Sequence, residues 1–329
     1  MDRKGLSPFG ACAPAGGLIR LAQGGKDREM MLKRLAGATI AMTLGALVAG
    51  VWVGPGLATP AFPQAKSAGP PPSDDHDVLA DAVAGPQRSP ANKARDPWRH
   101  PVESLTFWGL RPGDVILELD PAGGYWTEIL APFAKDTDGR YIGAVADPND
   151  PRLSEEQKQN TARFQAKFGD PAVWGKVETA GFGPNSGPLA PPGSVDFILT
   201  GRNIHNFMWA GDLDKMLSDS FAALKPGGVL AVEEHRADPR PMVPNARDGY
   251  VDQAFVIAAA RRAGFVLDGS SEINANPKDS KDHPFGVWTL PPSRRSSAFG
   301  QPPNPAFDHT KYDAIGESDC MTLRFRKPA

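Results

Sequence analysis

The sequence predicts an α/β fold built around a mostly parallel sheet, and three observations predict it. Residues 114–130 have the pattern of a buried strand, a turn of small residues and an amphipathic helix. Further short apolar runs, each ending in polar residues, alternate with helical patterns along the rest of the chain. The segment 224–228, Leu-Lys-Pro-Gly-Gly, joins a predicted helix to a buried strand, because Pro226 ends the helix and the glycines permit a close turn.

The turn after the first strand is the predicted cofactor site. Its unpaired backbone N–H groups face a gap that no large side chain blocks, and such gaps bind nucleotide-like ligands. We therefore expect Glu118, near the strand end, and the turn residues Asp120, Gly123 and Gly124 to contact a cofactor. The G-x-G-x-x-G pattern of a dinucleotide site is missing here, and an acid at the strand end suits a hydroxyl-bearing or cationic ligand. A structural strand-turn-helix without a ligand is the alternative.

A second acidic strand end lies at Asp147. It follows the apolar run 140–146, about 20 residues past Gly124, where nucleotide-binding α/β folds place a carboxylate on the ribose hydroxyls. A carboxylate suits that position because it can accept both hydrogen bonds of a vicinal diol. The alternative is an ordinary acid that caps the turn before Pro148.

Polar residues also follow the fourth and fifth predicted strands. Asn203 and His205 come after the apolar run 195–200, and the fifth strand ends in Glu234 and His235. Ligands of open α/β sheets bind outside the carboxyl ends of the strands, so we expect Asn203 to contact the cofactor. The acid–base candidates for catalysis are His205, His235 and Glu234. For His205, a satisfied structural histidine is the alternative.

A long segment, 272–319, separates the last two predicted strands. It is much longer than a hairpin connection, and loops of this length are commonly lids or binding loops. We expect residues 272–292 to be ordered and to close the acceptor pocket, with Asn276, His283 and Trp288 nearest the acceptor. The remainder of the segment has the composition of a solvated insertion.

Composition limits the classes of partner. The chain has 329 residues, of which 40% are hydrophobic, and this supports a real core. A formal net charge of −2 gives no reason to expect nucleic acid as a partner. The two cysteines, Cys12 and Cys320, have no neighbours at zinc-site spacing, so no metal site is predicted.

The N-terminal region has the pattern of an export signal. A basic flank at 30–34 precedes an apolar run at 35–57 that ends in small residues, as in a signal peptide. The run is also long enough for a membrane anchor. We expect translation to start at Met30 or Met31, the mature chain to begin between 58 and 65, and the protein to lie in the periplasm or cell envelope. Membrane contact is then expected only through this segment, if it stays uncleaved.

The predicted domains follow these changes in composition. Residues 1–65 form the N-terminal extension with its signal or anchor, and 66–94 form a Pro-rich linker. Residues 95–329 form one domain, with an insertion at 272–319.

Several segments together resemble the class I S-adenosylmethionine (SAM) methyltransferases, and most closely the exported methyltransferases predicted in proteobacteria. They are ELDPAGGYWTEILAP (118–132), RNIHNF (202–207), ALKPGGVLAVEEHR (223–236), SEINANPKD (271–279), HPFGVWTLPP (283–292) and AIGESDCMTLRF (314–325). The resemblance implies a Rossmann-like sheet of seven strands, the last one antiparallel, with helices on both faces and bound SAM as cofactor.

The resemblance has two departures. The family's first motif is acid-x-Gly-x-Gly-x-Gly, in which Glu118 fills the acid position and Gly124 the third glycine, but Asp120 and Ala122 replace the first two. After the third strand, the family often places an acid against the adenine amino group, and residues 181–193 offer no candidate.

Two functions are consistent with this sequence. The first is a SAM-dependent methyltransferase that acts on an unidentified acceptor, expected to be a small molecule. The second is a methyltransferase fold without catalysis, which serves as a ligand-binding or interaction module in the cell envelope. The altered first motif and the export signal favour the second function, because SAM is made in the cytoplasm.

Overall fold

The computed structural model describes residues 73–239 and 241–329, and its strands are short apolar segments bounded by turns. In chain order they are β1 (Val115–Leu119), β2 (Arg140–Ala146), β3 (Val177–Phe182), β4 (Val195–Gly201), β5 (Leu224–His235), β6 (Val266–Ser271), β7 (Pro284–Val287) and β8 (Cys320–Arg326).

Helices occupy most of the connections. They are α1 (Ser73–Ala84), α2 (Pro90–Lys93), α3 (Asp96–Arg99), α4 (Pro101–Trp108), α5 (Thr127–Asp136), α6 (Glu155–Lys167), α7 (Pro171–Trp174), α8 (Ile204–Ala210), α9 (Leu213–Ala223), α10 (Gln253–Arg262) and α11 (Thr310–Ile315).

Seven of the described strands form one sheet in the order β3-β2-β1-β4-β5-β8-β6. Strands β3, β2, β1, β4 and β5 pair in parallel, and β8 lies antiparallel between β5 and β6. The Rossmann-like α/β fold predicted from the sequence, with its antiparallel last strand, is therefore confirmed. The carboxyl ends of β1, β2, β4 and β5 meet at one edge, and the candidate site lies along that edge.

Apolar residues cover both faces of the sheet. Leu117 and Ile198 belong to one buried layer, whereas Ile116 and Phe197 belong to the other. Both layers are completed by helices, which explains why the central strands are nearly continuous apolar runs rather than alternating ones.

The N-terminal part of the domain begins earlier than the composition suggests. The predicted linker covers 66–94, but its described part contains α1 and α2. Leu79 and Ala82 of α1 are buried in the same layer as Trp108. The apolar residues of α1 lie at helical spacing, but the prolines just before them dominate the composition of this region.

The predictions for the first 72 residues fall outside the described part of the chain: the signal peptide or anchor, the start codon and Cys12. Within residues 73–239 and 241–329, no helix has the length and hydropathy that a membrane span requires. Cys320 is buried with a free thiol, and burial raises its pKa to about 12, so the thiol stays protonated.

Candidate functional site

The turn between β1 and α5 has the backbone conformation of a glycine turn. Asp120, Ala122 and Gly124 all have positive φ angles, of 47°, 46° and 80°. These are the three glycine positions of the methyltransferase first motif, so the left-handed backbone is present where two of the glycines are not. For a residue with a Cβ this conformation costs about 1–2 kcal/mol. Asp is among the residues that adopt it more readily, and Ala is not.

Contacts from two other elements hold this turn. The side-chain amide Nδ2 of Asn203 donates to the carbonyl oxygens of Leu119 (3.4 Å) and Asp120 (3.0 Å). The Nζ atom of Lys167 donates to the carbonyl oxygen of Gly123 (3.0 Å). Asn203 was predicted to contact the cofactor, and the structure places its amide group on the turn itself.

Gly124 is required by packing as well as by its φ angle. A Cβ atom there would lie 2.3 Å from the ring of Phe168, which is buried and packed against the rings of Phe164 and Trp174, each at a centroid distance of 4.9 Å. A Cβ on Gly123, in contrast, would meet nothing within 4 Å.

Glu118 points into the protein rather than into the turn. Its Oε2 atom accepts hydrogen bonds from Tyr141 Oη (2.6 Å) and Thr127 Oγ1 (2.8 Å), and the side chain is buried. Burial raises the pKa of Glu118 to about 7, against the lowering effect of these two hydroxyl donors. The donors tie β1 to β2 and α5, and the cofactor contact predicted for Glu118 stays a prediction.

Asp147 lies at the end of β2, as predicted. Its Oδ1 atom accepts hydrogen bonds from the backbone nitrogen (3.0 Å) and the side-chain Nδ2 atom (3.2 Å) of Asn149. These two bonds cap the local turn. A Cβ on the neighbouring Gly181 would lie 3.1 Å from that oxygen. A cavity of about 400 Å³ lies between α6 and the ends of β2 and β3, and its lining includes Ala146 and Pro148 but not Asp147. One carboxylate oxygen of Asp147, Oδ1, therefore caps the local turn, as the alternative interpretation expected. The contact of Asp147 with a ribose stays a prediction.

The three predicted catalytic side chains come together. One ligand-type atom each from His205, Glu234 and His235 lies within 4.8 Å of the other two, and all three residues are buried. They belong to α8 and to the end of β5, which the parallel sheet brings side by side. Nothing near them in sequence indicates that His205 and Glu234 would pair directly.

Glu234 orients the ring of His205. The Oε1 atom of Glu234 lies 2.9 Å from His205 Nδ1, and a carboxylate there assigns the proton to Nδ1. The same carboxylate accepts the backbone N–H groups of Ile204, His205 and His235. No hydrogen bond to His205 Nε2 forms within the described residues, so this nitrogen has a free lone pair.

His235 differs from His205 in its partners. Its Nδ1 atom shares a hydrogen bond with Ser318 Oγ and lies 3.7 Å from the Cys320 sulfur. Burial, followed by the positive charges near it, lowers the pKa of His235 well below its ordinary value. His235 is therefore neutral at physiological pH and supports the site without carrying charge.

His205, Glu234 and His235 are also residue types that bind divalent metal ions. However, both oxygens of Glu234 already accept backbone N–H groups and the His205 ring N–H. The cationic Arg202 and Arg99 also act on the adjacent His235. The arrangement thus fits an oriented histidine base better than a metal centre.

An ion network fixes the end of β4 beneath the site. Arg202 bonds to Glu233 (2.8 Å) and to Glu317, and Glu317 also accepts from Arg99 (2.9 Å) and Arg95 (2.6 Å). Burial opposes ionisation of Glu317, but Arg99, Arg202 and Arg95 together hold its pKa far below the ordinary value. The network joins the ends of β4 and β5 to the N-terminal helices, so the end of β4, which leads into α8 and His205, is firmly held.

Aromatic side chains lie on the outer side of His205. The ring centroids of Trp209 and Trp288 are 5.5 and 5.7 Å from the His205 ring and 5.1 Å from each other. Phe299 continues the series, 5.1 Å from Trp288. We call Trp209, Trp288 and Phe299 the aromatic wall.

Trp288 is thus the predicted lid residue that the structure places against His205. Asn276 donates from Nδ2 to the carbonyl oxygens of Ile315 (3.0 Å) and Glu317 (2.6 Å). The Nε2 atom of His283 lies 2.8 Å from Asp279 Oδ1. Asn276 and His283 therefore stabilise the segment internally, and their predicted contact with an acceptor stays a prediction.

Sequence reasoning missed Trp209 and Phe299. Trp209 follows His205 by four residues on α8, so the helical period could have placed the two rings on one face. Phe299 lies in the part of the long segment that reads as a solvated insertion, and only the three-dimensional structure brings it to Trp288.

The chain matches no known family model and no curated protein. Among solved structures, a SAM-dependent methyltransferase from Aquifex aeolicus is similar at 19% identity, over 61% of this chain and 93% of that chain, with a TM-score of 0.43. An S-adenosylmethionine-dependent methyltransferase from Mesorhizobium loti shares 15% identity over 74% of this chain and 99% of that chain, with a TM-score of 0.39. The [4+2]-cyclase SpnF shares 17% identity over 77% of this chain and 94% of that chain, with a TM-score of 0.42. Likenesses this distant concern the fold and say nothing of what this chain binds.

Proposed function

We propose that this protein is a SAM-dependent methyltransferase that transfers a methyl group to a small-molecule acceptor. The observation that carries the proposal is the buried His205–Glu234 pair, 2.9 Å apart, at the ends of β4 and β5. Asn203 links this strand end to the turn that follows β1, so a base and a nucleotide-type turn share one edge of the sheet.

The residues at this edge fit SAM. The left-handed backbone at Asp120, Ala122 and Gly124 has the tight course of a glycine turn, along which a ligand can approach the main chain. The N–H groups of Asp120 and Gly124 bond within the protein, to the carbonyl oxygens of Ala144 (2.9 Å) and Pro121 (2.8 Å). Asp147, at the end of β2, can accept hydrogen bonds from ribose hydroxyls. In this proposal the turn and Asp147 hold the cofactor.

Asp120 adds a charge that suits this cofactor. Burial raises its pKa, whereas the nearby His205 acts in the opposite direction. A carboxylate at this position attracts a cationic sulfonium and would repel a pyrophosphate. The replacement of the first motif glycine is therefore compatible with SAM.

The catalytic role of the protein is to position the acceptor and take its proton. Bound SAM supplies a methyl group that is already activated by its positive sulfur. His205 accepts the proton of the acceptor at Nε2, while Glu234 holds Nδ1–H and stabilises the imidazolium that results. His235 stays neutral beside them, and the aromatic wall excludes water from the reacting groups.

The location of the protein is a separate proposal. The basic flank and apolar run at 30–57 support export, and thus a methyltransferase domain that acts in the periplasm or cell envelope, as in the exported proteobacterial proteins that it resembles.

One observation favours the non-catalytic alternative. Glu118, the acid of the first motif, has both hydroxyl partners inside the protein. A domain that had lost cofactor binding could keep this acid for stability alone.

Calorimetric titration of the full-length protein with SAM separates the two functions. We expect saturable binding by the wild type, and weakening by at least about tenfold in Asp147→Asn, because a charged hydrogen-bond acceptor contributes about 1.5–3 kcal/mol. Asp150→Asn is the matched control, since Asp150 lies on the same loop and pairs with Arg152. Absence of binding at millimolar SAM, or equal binding by both variants, contradicts the proposed site.

A further inference from the structure

Arg295 lies beside the aromatic wall and has no counterion among the residues that the structure describes. Its guanidinium carbon lies 3.7 Å from the ring centroid of Phe299, and its backbone nitrogen donates to the Trp288 carbonyl oxygen (2.7 Å). The Nε atom is buried and has no hydrogen-bond partner in the described chain, and desolvation lowers the pKa of Arg295.

The neighbouring residue in the sequence, Arg294, does have a counterion. Arg294 is largely exposed and pairs with Asp313 at 3.0 Å. No carboxylate lies within ion-pair distance of Arg295 among the described residues, although it is the more buried of the two. Arg295 is partly buried, and its Nε–H has lost contact with water without gaining an acceptor, which costs free energy that an anionic ligand would recover.

The aromatic wall connects this cation to the candidate base. Phe299 contacts Trp288, and Trp288 and Trp209 both contact His205. The Nε1 atom of Trp209 is a further buried donor without a partner in the described chain. A planar ring stacks well on such a surface.

The charge beside the wall decides which ligand it suits. Groups of aromatic side chains often bind quaternary ammonium ions through their ring faces. Here Arg295 already lies over the ring of Phe299, so a second cation would be repelled. A ligand with an aromatic ring and a negative charge satisfies both features.

We propose that the methyl acceptor is an aromatic compound that carries a hydroxyl group and an anionic substituent. This rests on the proposed methyltransferase function. The ring lies on the aromatic wall, the anion pairs with Arg295, and the hydroxyl points to His205. The hydroxyl proton passes to His205 Nε2, a bond forms between the hydroxyl oxygen and the methyl carbon, and the carbon–sulfur bond breaks with its electron pair left on sulfur.

The test compares a charged and a neutral probe of the same shape. The full-length protein is titrated with 3,4-dihydroxybenzoate and with 3,4-dihydroxybenzyl alcohol, and binding is followed by calorimetry and by quenching of tryptophan fluorescence. We expect the wild type to prefer the carboxylate by about tenfold, the size of a hydrogen bond to a charged group. Arg295→Gln should bind both probes equally, whereas Arg294→Gln should keep the wild-type preference.

Arg295→Lys keeps the positive charge and should retain part of the preference for the carboxylate probe. This variant replaces Arg295→Gln in the test if Arg295→Gln folds poorly. The inference is overturned if the wild type binds neither probe, if it binds both equally, or if Arg295→Gln keeps the preference. Tighter binding of 3-hydroxyphenyltrimethylammonium than of the carboxylate also overturns it. SAM is titrated separately: SAM binding without any preference for the anion refutes only this inference, whereas loss of SAM binding refutes the proposed function.

Discussion

Replacing Glu118 by Gln should remove a specific part of the pH dependence of stability. The folded-state pKa of Glu118 is about 7, against an ordinary value of 4.5, and burial is the main cause. Because the folded pKa is the higher one, the folded state holds this proton more tightly. The resulting stabilisation is complete below about pH 4.5 and is lost as the pH rises through about 7.

The shift gives the magnitude. The difference between a pKa of 4.5 and one of about 7, at about 1.4 kcal/mol per pH unit, gives Glu118 a pH-dependent contribution of about 3 kcal/mol to the free energy of unfolding. Gln keeps the size of the side chain and an oxygen that can accept from Tyr141 and Thr127, but it does not titrate.

The assay is urea unfolding of wild type and Glu118→Gln at about pH 5 and about pH 8. Between these two pH values the wild type should lose about 2.5 kcal/mol more than the variant, because a part of the full effect lies below pH 5. Burial also raises the pKa of Asp114, to about 6, but this group is present in both proteins and cancels in the comparison. Glu155→Gln is the control, because the Glu155 side chain is 80% exposed. Equal pH dependence in wild type and Glu118→Gln would show that the pKa of Glu118 is not raised in the folded protein.

Three further predictions concern the turn and the histidine pair. Ala122→Gly should raise the free energy of unfolding by up to about 1 kcal/mol, because it relieves a positive φ of 46° at the cost of chain entropy; an unchanged midpoint in urea contradicts this. Gly124→Ala should lower the free energy of unfolding by more than about 2 kcal/mol, because its Cβ would lie 2.3 Å from Phe168 and its φ is 80°. The control, Gly123→Ala, should change it little, because a Cβ there meets nothing within 4 Å. Equal effects of the two substitutions would show that this contact does not hold the turn. Glu234→Gln should lower the rate of methyl transfer by at least about a hundredfold and leave the SAM affinity unchanged, because the His205 imidazolium loses its counter-charge. The rate is measured by the release of S-adenosylhomocysteine. An unchanged rate would show that Glu234 has no part in the mechanism.

The sequence was sufficient for the sheet because its strands are short apolar runs with clear ends. The polar residues after β4 and β5 were correctly expected at one edge, since parallel strands end on the same side. This geometry is why His205 and Glu234 could be named together from the sequence, although their hydrogen bond could not.

The parts that could not be foreseen depend on orientation and on long-range contacts. Glu118 lies on the strand face that packs against Tyr141, and a strand-end position does not tell which way a side chain turns. Leu79 is buried although it follows a Pro-rich stretch, because α1 packs on α5 and α4. The contact between Trp288 and Phe299 joins residues within a long connection that has no periodic pattern.

Native mass spectrometry of the full-length protein as isolated, followed by addition of SAM, shows whether this chain binds the proposed cofactor. We expect one SAM or S-adenosylhomocysteine molecule per chain, retained by the wild type and by Asp150→Asn but reduced in Asp147→Asn. If the protein binds neither compound, even at millimolar SAM, it is not a SAM-dependent methyltransferase and its fold has another role.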